Sequence, residues 1–139
     1  MKGRKRLRAI ASHRMRQFLP AALAVLAVAA LAQETEGYAQ AKAKADADEA
    51  SLPAAEKQQL VAAQGRLLEQ LASACATPRP DVSSFVVVME LDAEGRVVGT
   101  WRQGSTPLAI CFQKGVANQT LTPPPRVPFH TSLELTFTP

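Results

Sequence analysis

Phe85-Val86-Val87-Val88-Met89-Glu90-Leu91-Asp92-Ala93-Glu94-Gly95-Arg96-Val97-Val98-Gly99-Thr100-Trp101-Arg102-Gln103 is the stretch whose reading decides the fold. It is an apolar run, an acidic turn closed by glycine, and a second run. In the first run Phe85, Val87, Met89 and Leu91 share one face of a strand, and Val86, Val88 and Glu90 share the other. Both faces are apolar enough to be covered, which predicts a central strand. Asp92 to Gly95 supplies a hairpin turn, with Gly95 where a positive φ is needed. Strict alternation then places Val97, Gly99 and Trp101 on one face of the returning strand and Val98, Thr100 and Arg102 on the other.

Downstream, Thr106 and Pro107 have the residue types of a helix start, a cap and a proline in the first turn. Leu108, Cys111, Phe112, Gly115 and Val116 follow at the spacing of one helix face. The proline-rich piece from Thr120 to Pro128 cannot pair as a central strand. Its Pro123-Pro124-Pro125-Arg126-Val127-Pro128 also fits a Pro-x-x-Pro ligand pattern, but a rigid bend before a strand suits the context better. Phe129 to Thr138 alternates, with Phe129, Thr131, Leu133, Leu135 and Phe137 against His130, Ser132, Glu134, Thr136 and Thr138. Following chain direction through these pieces, the third strand is antiparallel to the first. The expected sheet is three-stranded and antiparallel in the order 2-1-3.

Upstream, Ser51 to Ala74 predicts one helix, with Ser51 as N-cap, Pro53 in the first turn and an apolar stripe of Leu60, Val61, Gln64, Leu67, Leu68 and Leu71. The fold class is therefore α+β: a helix followed by β-β-α-β, with the helices on one face of the sheet. Residues 33–50 alternate alanine with charge and show no apolar face. They read as a flexible spacer, or as a frayed extension of the next helix. The domain proper spans 51–139.

The N-terminal part has a different character. Residues 1–17 carry seven of the sixteen basic residues and no acid, and residues 18–32 carry no charge. The small residues of Ala30-Leu31-Ala32 end the apolar run, as in a secretory signal peptide cleaved near Ala32. Ala39-Gln40-Ala41 is a second possible site. An uncleaved inner-membrane anchor is the alternative, although the run falls short of the roughly 20 residues a span requires. Removing 1–32 leaves nine basic residues against twelve acidic ones, a net of −3, so the high overall pI belongs to the targeting segment. A nucleic-acid partner is not implied.

Cys75 and Cys111 are the only cysteines, and both lie in the exported part. An even pair in an oxidising compartment points to a disulfide, with two buried thiols as the alternative. No catalytic constellation is present. His130 is the only histidine after the signal and is expected on the polar, outer face of the last strand. Cys75, Cys111 and His130 make no convincing zinc set, and Asp92 with Glu94 falls short of a calcium loop. No phosphate-binding glycine loop occurs, so no cofactor is expected. Arg96, Trp101 and Arg102 on the second strand, with His130 and Glu134 on the third, form the candidate interaction surface.

Phe85 to Val97 with its Asp-x-x-Gly-Arg-Val turn, then Leu108-Ala-Ile-Cys-Phe-Gln-Lys-Gly, then Leu121-Thr-Pro-Pro-Pro and a closing alternating strand, resembles the TonB C-terminal domain family. The chain is similar in particular to periplasmic members with one cysteine before the first strand and one in the core helix. The resemblance covers about residues 75–138. It implies a non-enzymatic interaction domain of the bacterial cell envelope, which takes a peptide of a partner, such as an outer-membrane transporter, by strand addition. The long periplasm-spanning segment of an energy transducer is missing from this sequence. The remaining readings are a signal-anchored transducer-like protein, or a structural accessory protein of the envelope with no peptide ligand.

Overall fold

The structure, a computed structural model, describes residues 37–138. Residues 1–32, expected to be a signal segment, and the beginning of the expected spacer lie outside the described residues. Six elements follow in order: helix α1 over residues 37–50, helix α2 (Ala54–Ala74), strands β1 (Phe85–Leu91) and β2 (Val97–Gln103), helix α3 (Pro107–Val116) and strand β3 (Phe129–Leu135). The sheet has the order β2-β1-β3, antiparallel throughout. The double-faced apolar run is its middle strand, and the architecture is α+β as its pattern implies.

One face of the sheet holds the main core. Phe85, Val87, Met89 and Leu91 of β1 and Phe129 and Leu133 of β3 are buried there against Leu60, Leu67 and Leu71 of α2 and Ala109, Phe112 and Val116 of α3. The Phe85 and Phe112 rings meet edge to face at 5.2 Å. Burial of these large side chains supplies the main driving force for folding. The disulfide Cys75–Cys111 joins the end of α2 to the middle of α3, with Cα atoms 5.9 Å apart. Where the two helices cross, Gly115 lies against Leu71, and a Cβ at position 115 would strike the Leu71 Cδ2 methyl.

The caps divide differently from expectation. Thr106 accepts a hydrogen bond from the Ala109 amide at 3.1 Å and starts α3 as its residue type predicts. Ser51 instead belongs to the end of α1: its hydroxyl donates to the Asp48 carbonyl at 2.6 Å. α2 begins after Pro53 with no side-chain cap.

The stretch read as a flexible spacer is corrected over residues 37–50, which form α1 on the other face of the sheet. Ala41 and Ala45, one turn apart, are buried against Val88, with Tyr38, Val86 and Trp101 packed around them. Alanine permits this close approach, and polar pairs at both ends hold the helix in place. Tyr38 donates its hydroxyl to Gln103 Oε1 at 3.1 Å at the β2 side, and Lys42 bridges to Glu134 at 2.7 Å. At the β3 side Asp48 meets Arg126 and His130. α1 therefore crosses the sheet from β2 to β3.

A second correction concerns β2. The pairing slips between Glu90 and Leu91, so that Leu91 faces Val97 while Glu90 faces Gly99. This bulge breaks the alternation. Val97 turns into the main core with Leu91, Val98 is 58% exposed, and Gly99 and Trp101 lie on the α1 face. The third correction is His130, which is 3% exposed rather than on the surface. Its Nδ1 is 3.5 Å from Asp48, its Nε2 is 3.7 Å from Glu90, and its ring lies beside Trp101. The cover that buries it comes from α1, which the sequence pattern did not reveal.

Candidate functional site

A three-stranded open sheet has two edges, and an unpaired edge is a template for another strand. The two edges here are unlike. On β3 the His130 amide donates to Asp48 Oδ2 at 2.8 Å and the Ser132 amide donates to Glu49 Oε1 at 2.8 Å. Gln64 Nε2 donates to the Ser132 carbonyl at 3.1 Å and to Thr131 Oγ1 at 2.7 Å. The last turn of α1 and the middle of α2 thus take up the outward backbone groups along the centre of β3. Two carboxylates and an amide occupy the positions that a further strand would need.

The same bonds fix the phase of the whole ladder. Since His130 and Ser132 point their amides away from β1, their partners Glu90 and Val88 point theirs toward β2. Gly99 and Trp101 therefore bond inward to β1, and Thr100 and Arg102 direct their backbone N–H and C=O groups outward. The start of β2 is closed by the segment that follows α3. Val97 N donates to the Gln119 carbonyl at 2.8 Å, and Leu121 N to the Gly95 carbonyl at 2.9 Å. Beyond that closure the edge carries no backbone hydrogen bond to any described residue.

Side chains along this edge are also ordered. Arg102 Nε donates to Gln113 Oε1 at 2.9 Å, and Gln113 Nε2 donates to Thr100 Oγ1 at 3.3 Å, so α3 holds Arg102 on the core face of the sheet. A hollow of about 370 Å³ lies beside the strand, lined by Val98, Thr100, Ala117 and Asn118 among others. At the hairpin, the Asp92 carboxylate accepts from the amides of Arg96 at 2.9 Å and Glu94 at 3.1 Å and pairs with Arg96 Nε at 3.2 Å. The Arg96 amide bond, joined by that of Glu94 and by the Arg96 charge, holds the Asp92 carboxyl below its usual range. Gly95 has φ 82°, as the turn requires.

The five surface residues expected from the sequence are thus separated. Arg96 and Arg102 lie along the β2 edge. Trp101, His130 and Glu134 lie on the α1 face, where Trp101 is half-buried and Glu134 is bound to Lys42. The residues that decide which edge is free, Asp48, Glu49 and Gln64, lie in sequence within the expected spacer and helix stripe, where no local signal marks them. A larger hollow of about 550 Å³ opens near the disulfide, lined by Leu68, Ala72, Val82, Leu108, Phe112 and Phe137 among others. Among the described residues its one charged lining group is Glu134, whose carboxylate bridges to Lys42. Among the described residues, no cluster of three metal-ligating side chains occurs and no helix is long and apolar enough to cross a membrane.

Fold and edges define a disulfide-stapled α+β module with one sheet edge capped and the other, among the described residues, uncapped. No protein-family model matches the chain, and no curated protein or solved structure matches it either.

Proposed function

We propose that this chain is an exported interaction module of the bacterial cell envelope, which takes an extended segment of a partner protein onto an edge of its sheet. The observation that carries the reading is the outward presentation of the Thr100 and Arg102 backbone groups on a strand fixed by the core. The Cys75–Cys111 disulfide supports an oxidising compartment. The signal-like residues 1–32 supply the route to it, and the resemblance to TonB C-terminal domains supplies the precedent for strand addition. The module acts by binding and has no catalytic role in this reading. A photo-reactive amino acid placed at Thr100, at Ser132 and, as control, at exposed Val61 tests it in the producing cell. Adducts from an edge position and none from Val61 are expected, on a chain whose mass shows cleavage near Ala32. Adducts from neither edge would favour a purely structural role in the envelope.

A further inference from the structure

We infer that the edge in use is β2, and that its partner is an extended acidic segment with a carboxylate opposite Arg102 and an apolar side chain two residues away, opposite Thr100. This inference rests on the sheet-edge reading above and narrows it to one edge and one ligand chemistry.

Three observations converge. The β3 edge is occupied by Asp48, Glu49 and Gln64, so a strand adding there must first displace hydrogen bonds from two carboxylates. Among the described residues, nothing bonded to the β2 edge beyond Val97 would have to be displaced. Its outward groups, on Thr100 and Arg102, lie two residues apart, which is the repeat of one side of a strand. In an added strand, the residues bonded to Thr100 and Arg102 would carry their side chains on the same face as those two.

That face sets the chemistry. The guanidinium of Arg102 is positioned by its Nε bond to Gln113, and its terminal nitrogens make no hydrogen bond to any described residue. β2 and α3 together contain Arg102 and Lys114 and no acid, and no Asp or Glu occurs anywhere from Gly95 to Leu133. Arg96, at the closed end of the strand, is already paired with Asp92. A carboxylate opposite Arg102 meets an oriented cation with no competing acid on its own strand or helix. Two residues along, the hollow beside Thr100 receives an aliphatic side chain against Val98 and Ala117, with Arg96 and Asn118 as its polar lining. A second copy of β2 would bring Arg102 near its own symmetry mate, which disfavours self-pairing as the native use of this edge.

The test uses the full oxidised chain labelled with ¹⁵N and an acetylated, amidated octapeptide that repeats threonine–glutamate–threonine–valine twice. A second peptide with lysine for glutamate is the control. The expected result is a shift of the Thr100 and Arg102 amide resonances with slowed solvent exchange. The glutamate peptide should bind about five- to tenfold tighter than the lysine peptide, and Arg102→Glu should reverse that order. Thr100→Pro removes one outward N–H at a position where an edge strand tolerates proline, and should abolish binding. Should that variant fail to fold, the charge reversal at Arg102 carries the test alone.

Protection confined to His130 and Ser132 would overturn the assignment to β2 and leave sheet-edge addition standing. Equal binding of the two peptides would overturn the acidic partner. Concentration-dependent protection of Thr100 without peptide would identify a second copy as the occupant. No protection of any strand amide by either peptide would overturn sheet-edge addition itself.

Discussion

Two glycines in the helices show how much a single contact decides. At Gly115 an added methyl would collide with Leu71 in the crossing of α2 and α3. Gly115→Ala should therefore cost about 1–3 kcal/mol of stability through overpacking, measurable by denaturant unfolding. At Gly65 of α2 nothing lies within 4 Å of the added carbon, and Gly65→Ala should stabilise by about 0.5–1 kcal/mol through helix propensity. Equal effects at the two sites would contradict the close helix crossing. Sequence alone ranks both glycines as weak helix formers and does not separate them. His130 makes the same point for the site. Its type and alternation place it on the polar face of β3 correctly, but that face is covered, and the cover lies some eighty residues earlier in the chain.

Among elements, α1 is the one that the sequence pattern conceals. Hydrophobic periodicity registers large side chains, whereas α1 docks through Ala41 and Ala45 and through Tyr38, Lys42, Asp48 and Glu49 at its flanks. β1, β2, α3 and β3 were legible because alternation, a glycine turn and a Thr-Pro start are local signals. The bulge that turns Val97 inward is set by register against β1 and has no local signal. Replacing Asp48 and Glu49 together with alanine should free the outward amides of β3. His130 and Ser132 should then exchange faster with solvent, and the protein should begin to self-associate with concentration. Unchanged exchange would show that these carboxylates do not cap the edge.

The docking of α1 also has a pH dependence. Lys42 is held protonated above its ordinary range by hydrogen bonds to Asp46 and Glu134, and burial raises the Tyr38 hydroxyl. Both groups favour the protonated form in the folded state. Their contribution is complete below about pH 10, where the unfolded chain is protonated as well, and is lost as pH rises beyond it. Thermal melts followed by circular dichroism from pH 8 to pH 11 should show a steeper alkaline loss in the native protein than in Lys42→Met. Parallel curves would remove Lys42 from this role.

For the molecule as a whole, the disulfide is the principal constraint on the unfolded chain. Cys75 and Cys111 are 36 residues apart in sequence, and opening that loop should cost about 4 kcal/mol in the chain-entropy account. A fall in melting temperature on reduction, matched by the Cys75→Ala/Cys111→Ala double variant, is the expected result; equal melting with and without reductant would contradict it. The pairing was legible from parity and the expected export alone. The inequality of the two edges was not, because it arises only when α1 and α2 reach β3 in space.

The diagonal path of α1 has a kinetic consequence. It carries Asp46, Asp48 and Glu49 toward β3, while Arg102 and Lys114 stand on the side of β2 and α3. Asp46 and Asp48 are paired there with Lys42 and Arg126, so the asymmetry left across the sheet is Glu49 on the β3 side against Arg102 and Lys114 on the other. In the field of an approaching polyanion a body with this asymmetry experiences a torque that turns the β2 side forward before contact. Capture of an anionic partner would be oriented during diffusion. Its encounter rate would decline with added salt as the screening length contracts toward about 8 Å at physiological ionic strength.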